Sequence, residues 1–256
     1  MNPSMKQFPV AVQPYTIREA LSQDYEGALE RVAAIGYKGI ELGRPPQGIT
    51  VARQKALLDR LGLKVVGTHA GFDTFDFDAN AIADYIDEVD GGRFVAISLR
   101  FSSLEDVLEK AKKMNAVGEV FKGRGIAFLY HNHDWEFEKF GGEYALDILL
   151  RETDPEWVQT ELDTYWIKKG GEDPAAYLRK LKGRAPMLHI KDVEKGEEQF
   201  FAEIGEGVLD FREIAAAAEE IGVQWLVVEQ DQCRRDPFES LRISYENLMK
   251  LGIMRP

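Results

Sequence analysis

The sequence predicts an α/β fold, a single (β/α)8 barrel of the TIM type spanning residues 1–256. Three observations predict it. Eight short apolar stretches alternate with helix-like ones at a spacing of about 30 residues, the length of one βαβ repeat. The pairs Ile35-Gly36, Leu61-Gly62 and Ile221-Gly222 each close a helix-like run just ahead of the next apolar stretch, as a glycine at a helix C-terminus does. The first strand runs into Gln13-Pro14-Tyr15, which lacks the glycine-rich phosphate turn usual in a doubly wound open sheet.

The elements follow in order. Phe8-Pro9-Val10-Ala11-Val12 is the first strand. Ser22 to Ile35 is an amphipathic helix, with Ala28, Leu29, Val32 and Ile35 on one side. Lys38 to Leu42 is the second strand, ended by Gly43 and Pro45-Pro46, and Thr50 to Leu61 is its helix. Lys64 to His69 is the third strand. An aromatic, acidic loop, Phe72 to Asp78, leads to a helix over Ala79 to Val89. Phe94 to Leu99 and a helix over Leu104 to Phe121 make the fourth unit. Gly125 opens the fifth, an apolar strand that reads through Tyr130-His131-Asn132-His133 to Phe137, with its helix near Tyr144 to Leu150. Trp157 to Asp163 is the sixth strand, with a helix from Asp173 to Leu181. Met187 to Lys191 is the seventh, followed by a long charged loop and a helix over Phe211 to Ile221. Gln224 to Glu229 is the eighth, and Pro237 to Leu251 is the last helix. The strands are mostly apolar throughout, as parallel strands covered by helices should be.

Composition sets outer bounds. A chain of 256 residues, 45% hydrophobic, can bury a sizeable core. A net charge of −12 argues against nucleic acid as a partner, because phosphate binding wants a basic surface. The single cysteine, Cys233, allows no internal disulfide and suits a reducing compartment, the cytoplasm. Met1 to Pro9 lacks a basic region followed by an apolar one, so no signal peptide is expected. No apolar run approaches the roughly 18 residues of a membrane span.

Barrels of this kind do their chemistry at the C-terminal ends of the strands. Those ends hold Glu41, His69, Arg100, His131 and His133, Glu161 and Asp163, His189 and Lys191, and Glu229 and Asp231. All four histidines of the chain are among them. In the last four strands the polar residues stand two apart, so strand alternation turns both to one face. Asp163, His189 and Glu229 offer two carboxylates and an imidazole, a set that suits Mn²⁺, Mg²⁺, Co²⁺ or Zn²⁺ and leaves positions open for substrate. The same residues admit a structural reading: Asp163 as a helix cap, His189 as a satisfied core histidine, Glu229 paired with Arg234. Phe72, Trp135, Tyr165 and Trp166 follow strand ends, where aromatic faces could stack on a sugar ring or simply pack the loops.

The motifs Tyr130-His131-Asn132-His133 with Glu136-Phe137, Glu161-Leu162-Asp163-Thr164-Tyr165-Trp166, Leu188-His189-Ile190-Lys191-Asp192, Gly205-Glu206-Gly207 with Asp210-Phe211, and Val228-Glu229-Gln230-Asp231 resemble the xylose isomerase-like barrel superfamily. They resemble its sugar phosphate isomerase/epimerase branch most closely. The resemblance spans nearly the whole chain and is sharpest from Gly125 to Leu251. It implies a divalent metal on strands five to eight, here Asp163, His189 and Glu229. His131 stands where many relatives place a metal-binding glutamate, and His133 where dehydratase relatives keep a catalytic histidine. Trp166 stands where epimerase relatives carry a substrate-binding histidine.

The resemblance implies proton abstraction beside a metal-gripped carbonyl, giving an enediolate. His133 and Glu136 are the candidate bases, and Lys191 the candidate acid or oxygen-polarising group. Glu41, His69, Arg100, Trp135, Trp166 and Asp231 are the candidate substrate contacts, and Glu161 a group that orients a ligand. The expected activity is a metal-dependent sugar or sugar phosphate isomerase or epimerase. The alternative is a dehydratase or lyase on a keto sugar or keto inositol, of the inosose dehydratase or 3-keto-glycoside lyase kind. A DNA-repair endonuclease on the same barrel uses many more histidines, and a sugar-binding barrel without catalysis would not need both carboxylates. A small carbohydrate substrate and a homo-oligomer, with neither nucleic acid nor membrane as partner, complete the expectation.

Overall fold

The structure, a computed structural model, describes residues 6–255; the reading of Met1 to Pro9 falls largely outside that range. Eight parallel strands close into one barrel: β1 (Val10–Val12), β2 (Gly39–Glu41), β3 (Lys64–Phe72), β4 (Phe94–Ser98), β5 (Ala127–His131), β6 (Val158–Asp163), β7 (Met187–Ile190) and β8 (Trp225–Val228). Each pairs with its sequence neighbours, and β8 closes on β1 through Val10–Leu226, Ala11–Val227 and Val12–Val228. The eight-unit reading of the sequence is the observed architecture. No helix among the described residues is long and apolar enough to cross a membrane.

Most predicted helices lie within a residue or two of their observed bounds; Phe211–Ile221 and Pro237–Leu251 coincide. Four local differences have physical causes. The first helix is two, Arg18–Gln23 and Tyr25–Ile35, because the Asp24 carboxylate turns back to accept from Gly27 N and starts a new helix. A short helix, Thr164–Lys169, follows β6 directly, nucleated by Asp163 Oδ1 accepting from Tyr165 N and Trp166 N. β3 runs on to Phe72, past the predicted His69. β5 stops at His131, and a 3-10 turn, Trp135–Phe137, replaces the predicted end of the strand.

Two layers of packing hold the barrel. Outside, the helices press their apolar faces on the outward strand residues, with Phe121 on Phe128 at 5.2 Å between ring centroids. Inside, Ala11, Val66, Ala96, Leu129, Met187 and Val227 fill the lower barrel as a separate apolar cluster. Close packing against two glycines fixes the lower rim. A Cβ at Gly92, which leads into β4, would lie 2.0 Å from the Val66 carbonyl oxygen. A Cβ at Gly39, which opens β2, would lie 2.8–2.9 Å from Val66, Ala11 and Trp225. Only a residue without a side chain fits there.

Candidate active site

Strand register sets the polar layer that sits on this apolar floor. β5 lays His131 opposite Glu161, and β6 lays Asp163 opposite His189. The inward series on β7 is Met187, His189 and Lys191, each one step higher than the last. Glu161, Asp163 and His189 have no exposed surface. Above them opens a cavity of 540 Å³, bordered by His69, His133, Trp135, Trp166, Lys191 and Glu229, with Asp231 at its edge.

The predicted metal set is brought together: His131, Asp163, His189 and Glu229 each present an atom within 4.8 Å of the others. The Lys191 ammonium shares this space. Its Nζ lies 3.0 Å from Asp163 Oδ2, 2.7 Å from Glu229 Oε2 and 2.6 Å from Asp231 Oδ1. Burial opposes charge on Lys191, but Asp163, Glu229 and Asp231 outweigh it and raise its pKa well above the usual lysine range. Burial alone would raise Glu229; Lys191 and His189 reverse that and hold it ionised. Asp163 is pushed up by burial to about 6, against the pull of Lys191. Burial, with His189 beside it, lowers His131 to about 3, so it is a neutral imidazole with a free lone pair.

A second group lies beneath, sharing His189: Glu41, His69, Glu161 and His189. His189 faces a carboxylate at each end, Nδ1 3.0 Å from Glu229 and Nε2 2.8 Å from Glu41. Burial disfavours the His69 imidazolium, but Glu41 and Glu161 outweigh it and raise its pKa to about 10. The donor chemistry of both groups, imidazole nitrogens with carboxylate oxygens, fits a divalent ion. Buried atoms without hydrogen-bond partners mark the same place: His69 Nε2, His131 Nδ1, both Glu161 oxygens and Asp163 Oδ2.

The structural readings weighed for single residues hold only in part. Asp163 does cap a helix, but through Oδ1, leaving Oδ2 to the barrel. Arg234 pairs with Glu194 and Glu198, not with Glu229. Trp135 and Trp166 border the cavity, whereas Tyr165 is buried and stacks on Phe201.

His133 reaches the cavity by a different route from the one predicted. It lies beyond the end of β5, held by Asn132, which donates to its carbonyl oxygen and accepts from Asp163 N on β6. Its imidazole stacks on Trp135, whose Nε1 donates to Leu99 O. Burial, with His131 next, lowers its pKa far below the usual histidine range. Glu136 does not reach the cavity, contrary to expectation. The 3-10 turn folds it under the strand end, where Oε1 accepts from Tyr130 Oη and Oε2 from His133 N. Burial raises its pKa to about 8. Arg100 is also outside: its exposed guanidinium lies 4.3 Å from the outer face of the Trp135 ring. Glu41 is an inner-layer residue rather than a cavity contact, while His69 borders both.

Sequence reading missed Gln13, Tyr15 and Ser98 on the cavity wall. The available signal was position: Gln13 opens the loop above β1, on the face where the chemistry sits, and its Nε2 donates to Glu41 Oε2 at 2.8 Å. It also missed Asp192, whose carboxylate accepts from Val193, Gly205, Gly207 and Leu209 N and ties the charged loop over β7.

A closed parallel barrel with a buried acid–histidine layer under an aromatic-walled cavity defines a class of barrel enzymes. The chain belongs to the xylose isomerase-like TIM barrel family, whose profile matches residues 29–248. It is similar to the inosose dehydratases of Lacticaseibacillus casei and Geobacillus thermodenitrificans, 26% and 27% identical over 260 residues, covering 84% of this chain and 85% of each relative. A sugar phosphate isomerase/epimerase from Parabacteroides distasonis superposes with a TM-score of 0.79 at 24% identity, covering 99% of this chain and 96% of the other. These findings make the chain an enzyme of the xylose isomerase-like family, whose relatives include dehydratases and isomerases or epimerases.

Proposed function

We propose that the protein is a dehydratase or related lyase acting on a keto inositol or keto sugar, with a divalent cation as cofactor. The observation that carries this reading is the pairing, on one cavity, of a neutral imidazole with a buried ammonium that keeps its proton. The inosose dehydratase relatives, aligned over most of both chains, support the same choice. The cation would be held by the buried groups that share His189, and it would supply Lewis-acid polarisation of a carbonyl.

The chain's own residues supply the rest. His133 takes the proton from the carbon next to the carbonyl. The imidazolium so formed returns the proton to a departing β-hydroxyl as the carbon–oxygen bond breaks. Water leaves and a double bond remains. Lys191 serves by hydrogen bonding: with its pKa raised, it holds a substrate oxygen rather than giving up a proton. Trp135 and Trp166 cover the ring faces and exclude water. Epimerisation would need a second proton shuttle opposite His133, and Lys191, bound to three carboxylates, is poorly suited to it.

The test is a panel of keto inositols, ketoses and 3-keto-glycosides incubated with protein and Mn²⁺, Co²⁺ or Zn²⁺ in D₂O. Products short of one water, or a released aglycone, together with deuterium at the α-carbon of recovered substrate, are expected. An isomer or epimer that keeps every oxygen, formed without elimination, overturns the reading in favour of isomerisation.

A further inference from the structure

We propose that the outer rim of the cavity, between Tyr15 and Phe72, is a subsite for an aromatic aglycone, so that the substrate is an aryl glycoside of a keto sugar. The proposal rests on the elimination reading given above and adds to it the group that leaves.

The cavity has two sides. The charged and proton-moving groups come from one of them: His133 after β5, Lys191 after β7 and Glu229 after β8. Lys191 and Glu229 are 1% and 7% exposed, so they lie at its depth. Tyr15, in the turn after β1, and Phe72, the last residue of β3, stand on the other side and are 49% and 53% exposed. β2, which pairs with both of those strands, adds no residue to the border among those described, so the two rings frame the mouth there. A volume of 540 Å³ lies in the range of about 300–1,000 Å³ that takes a drug-sized ligand. One sugar ring between Trp135 and Trp166 leaves the outer part of that volume to a second group.

The two rings are fixed in place without being part of the core. The Arg18 guanidinium lies 4.2 Å from the Tyr15 ring centroid, and Arg18 Nη1 donates to Tyr15 O at 2.8 Å and to Asp231 O at 3.0 Å. Tyr15 N also donates to Gln13 Oε1. Phe72 meets Trp135 and His133 edge to face, with centroids 5.9 Å and 5.8 Å apart. Phe75 and Phe77, in the loop that follows, pack against the apolar core, whereas Phe72 and Tyr15 do not. Aromatic rings held at a cavity mouth stack on a flat apolar group with little ordering cost.

The closeness of Phe72 to His133 sets an aglycone on Phe72 beside the base. His133 takes the proton from the carbon next to the carbonyl, and the electron pair of that carbon–hydrogen bond becomes the new carbon–carbon double bond. The bond from the neighbouring carbon to the aglycone oxygen breaks, its electron pair staying on oxygen. The same proton passes from His133 to that oxygen, and the aglycone leaves as a phenol.

Binding is tested on metal-loaded protein with phenyl glucoside and methyl glucoside, which share a sugar and carry no carbonyl for the elimination. Phenyl glucoside is expected to bind at least about tenfold more tightly by calorimetry, with its aryl protons in closest contact by saturation-transfer NMR. Phe72→Ala and Tyr15→Ala should each reduce that preference by about fivefold, whereas Tyr15→Phe keeps it. Equal affinity for the two glucosides, binding of neither, or a preference unmoved by Phe72→Ala and Tyr15→Ala overturns the proposal. So does a dimer in sedimentation that Phe72→Ala dissociates, since a second copy would then cover the rings. The elimination reading is followed separately with phenyl 3-keto-glucoside. Release of phenol supports both. An isomer that keeps its phenol, bound with the aryl preference intact, removes the elimination and leaves the subsite standing.

Discussion

The imidazole of His133 lies flat on the indole of Trp135, ring centroids 4.0 Å apart and planes within 10° of parallel. The stack holds the ring at the cavity wall with Nδ1 buried and unpartnered. A base so placed needs no rotamer search before it meets a substrate proton. His133→Ala is expected to slow α-deuterium exchange by about 10²–10⁴-fold while metal content stays at the wild-type level. Exchange rates by NMR, with metal measured on the same samples, check both halves. Unchanged exchange in this variant moves the base elsewhere.

The Lys191 ammonium stands among three carboxylates, and its side chain is 1% exposed. Removing one partner of a buried ion group strands the others. Lys191→Met should therefore destabilise the fold by about 3–5 kcal/mol, read from urea denaturation. A loss under about 1 kcal/mol would show that the three acids are not jointly dependent on this ammonium.

Glu136 gives a pH-dependent contribution of predictable sign. Burial raises its folded pKa to about 8, above the ordinary glutamate value of 4.5. The folded state thus binds the proton more tightly than the unfolded one. The associated stability is fully present below the unfolded pKa and is lost as pH rises through about 8. Relative to Glu136→Gln, wild type should lose unfolding free energy steadily between about pH 5 and pH 8.5. Urea titrations of both proteins across that window check it, and a flat difference would remove the protonated Glu136 from the structure's description.

Asp192 accepts four backbone hydrogen bonds, at 2.8 Å from Val193, 3.0 Å from Gly205, 2.9 Å from Gly207 and 3.1 Å from Leu209. Asp192→Ala leaves those donors without their acceptor and should cost at least about 2 kcal/mol. Hydrogen exchange should show the loss of protection concentrated at Gly205, Gly207 and Leu209. Uniform loss across the barrel would instead indicate a global effect.

The barrel was legible because its signals are periodic and local: apolar strand then helix, eight times over, with glycine stops at Gly36, Gly62 and Gly222 among them. The upper polar set was legible for the same reason, since Asp163, His189 and Glu229 end regular strands. What escaped depended on breaks in regularity. Glu41 lies in the inner layer and His69 borders both that layer and the cavity, and strand pairing slips beside each of them, which no spacing rule announces. Glu136 read as a base because the fifth strand appeared to continue; the turn after His131 carried it out of reach. Gln13 matters through a partner 28 residues away, a relation visible only once β1 and β2 lie side by side.

The glycines at the lower rim have a consequence for how this barrel can change. Gly92 packs against the Val66 backbone and Gly39 against the Val66, Ala11 and Trp225 side chains, and neither lines the cavity. Foldability is thus anchored at one end and selectivity at the other. Segments such as Asp73 to Phe77, between β3 and the helix that Asp78 caps, are expected to accept other sequences while the floor keeps the strands in register. The same scaffold can therefore be handed a new substrate without being asked to learn to fold again.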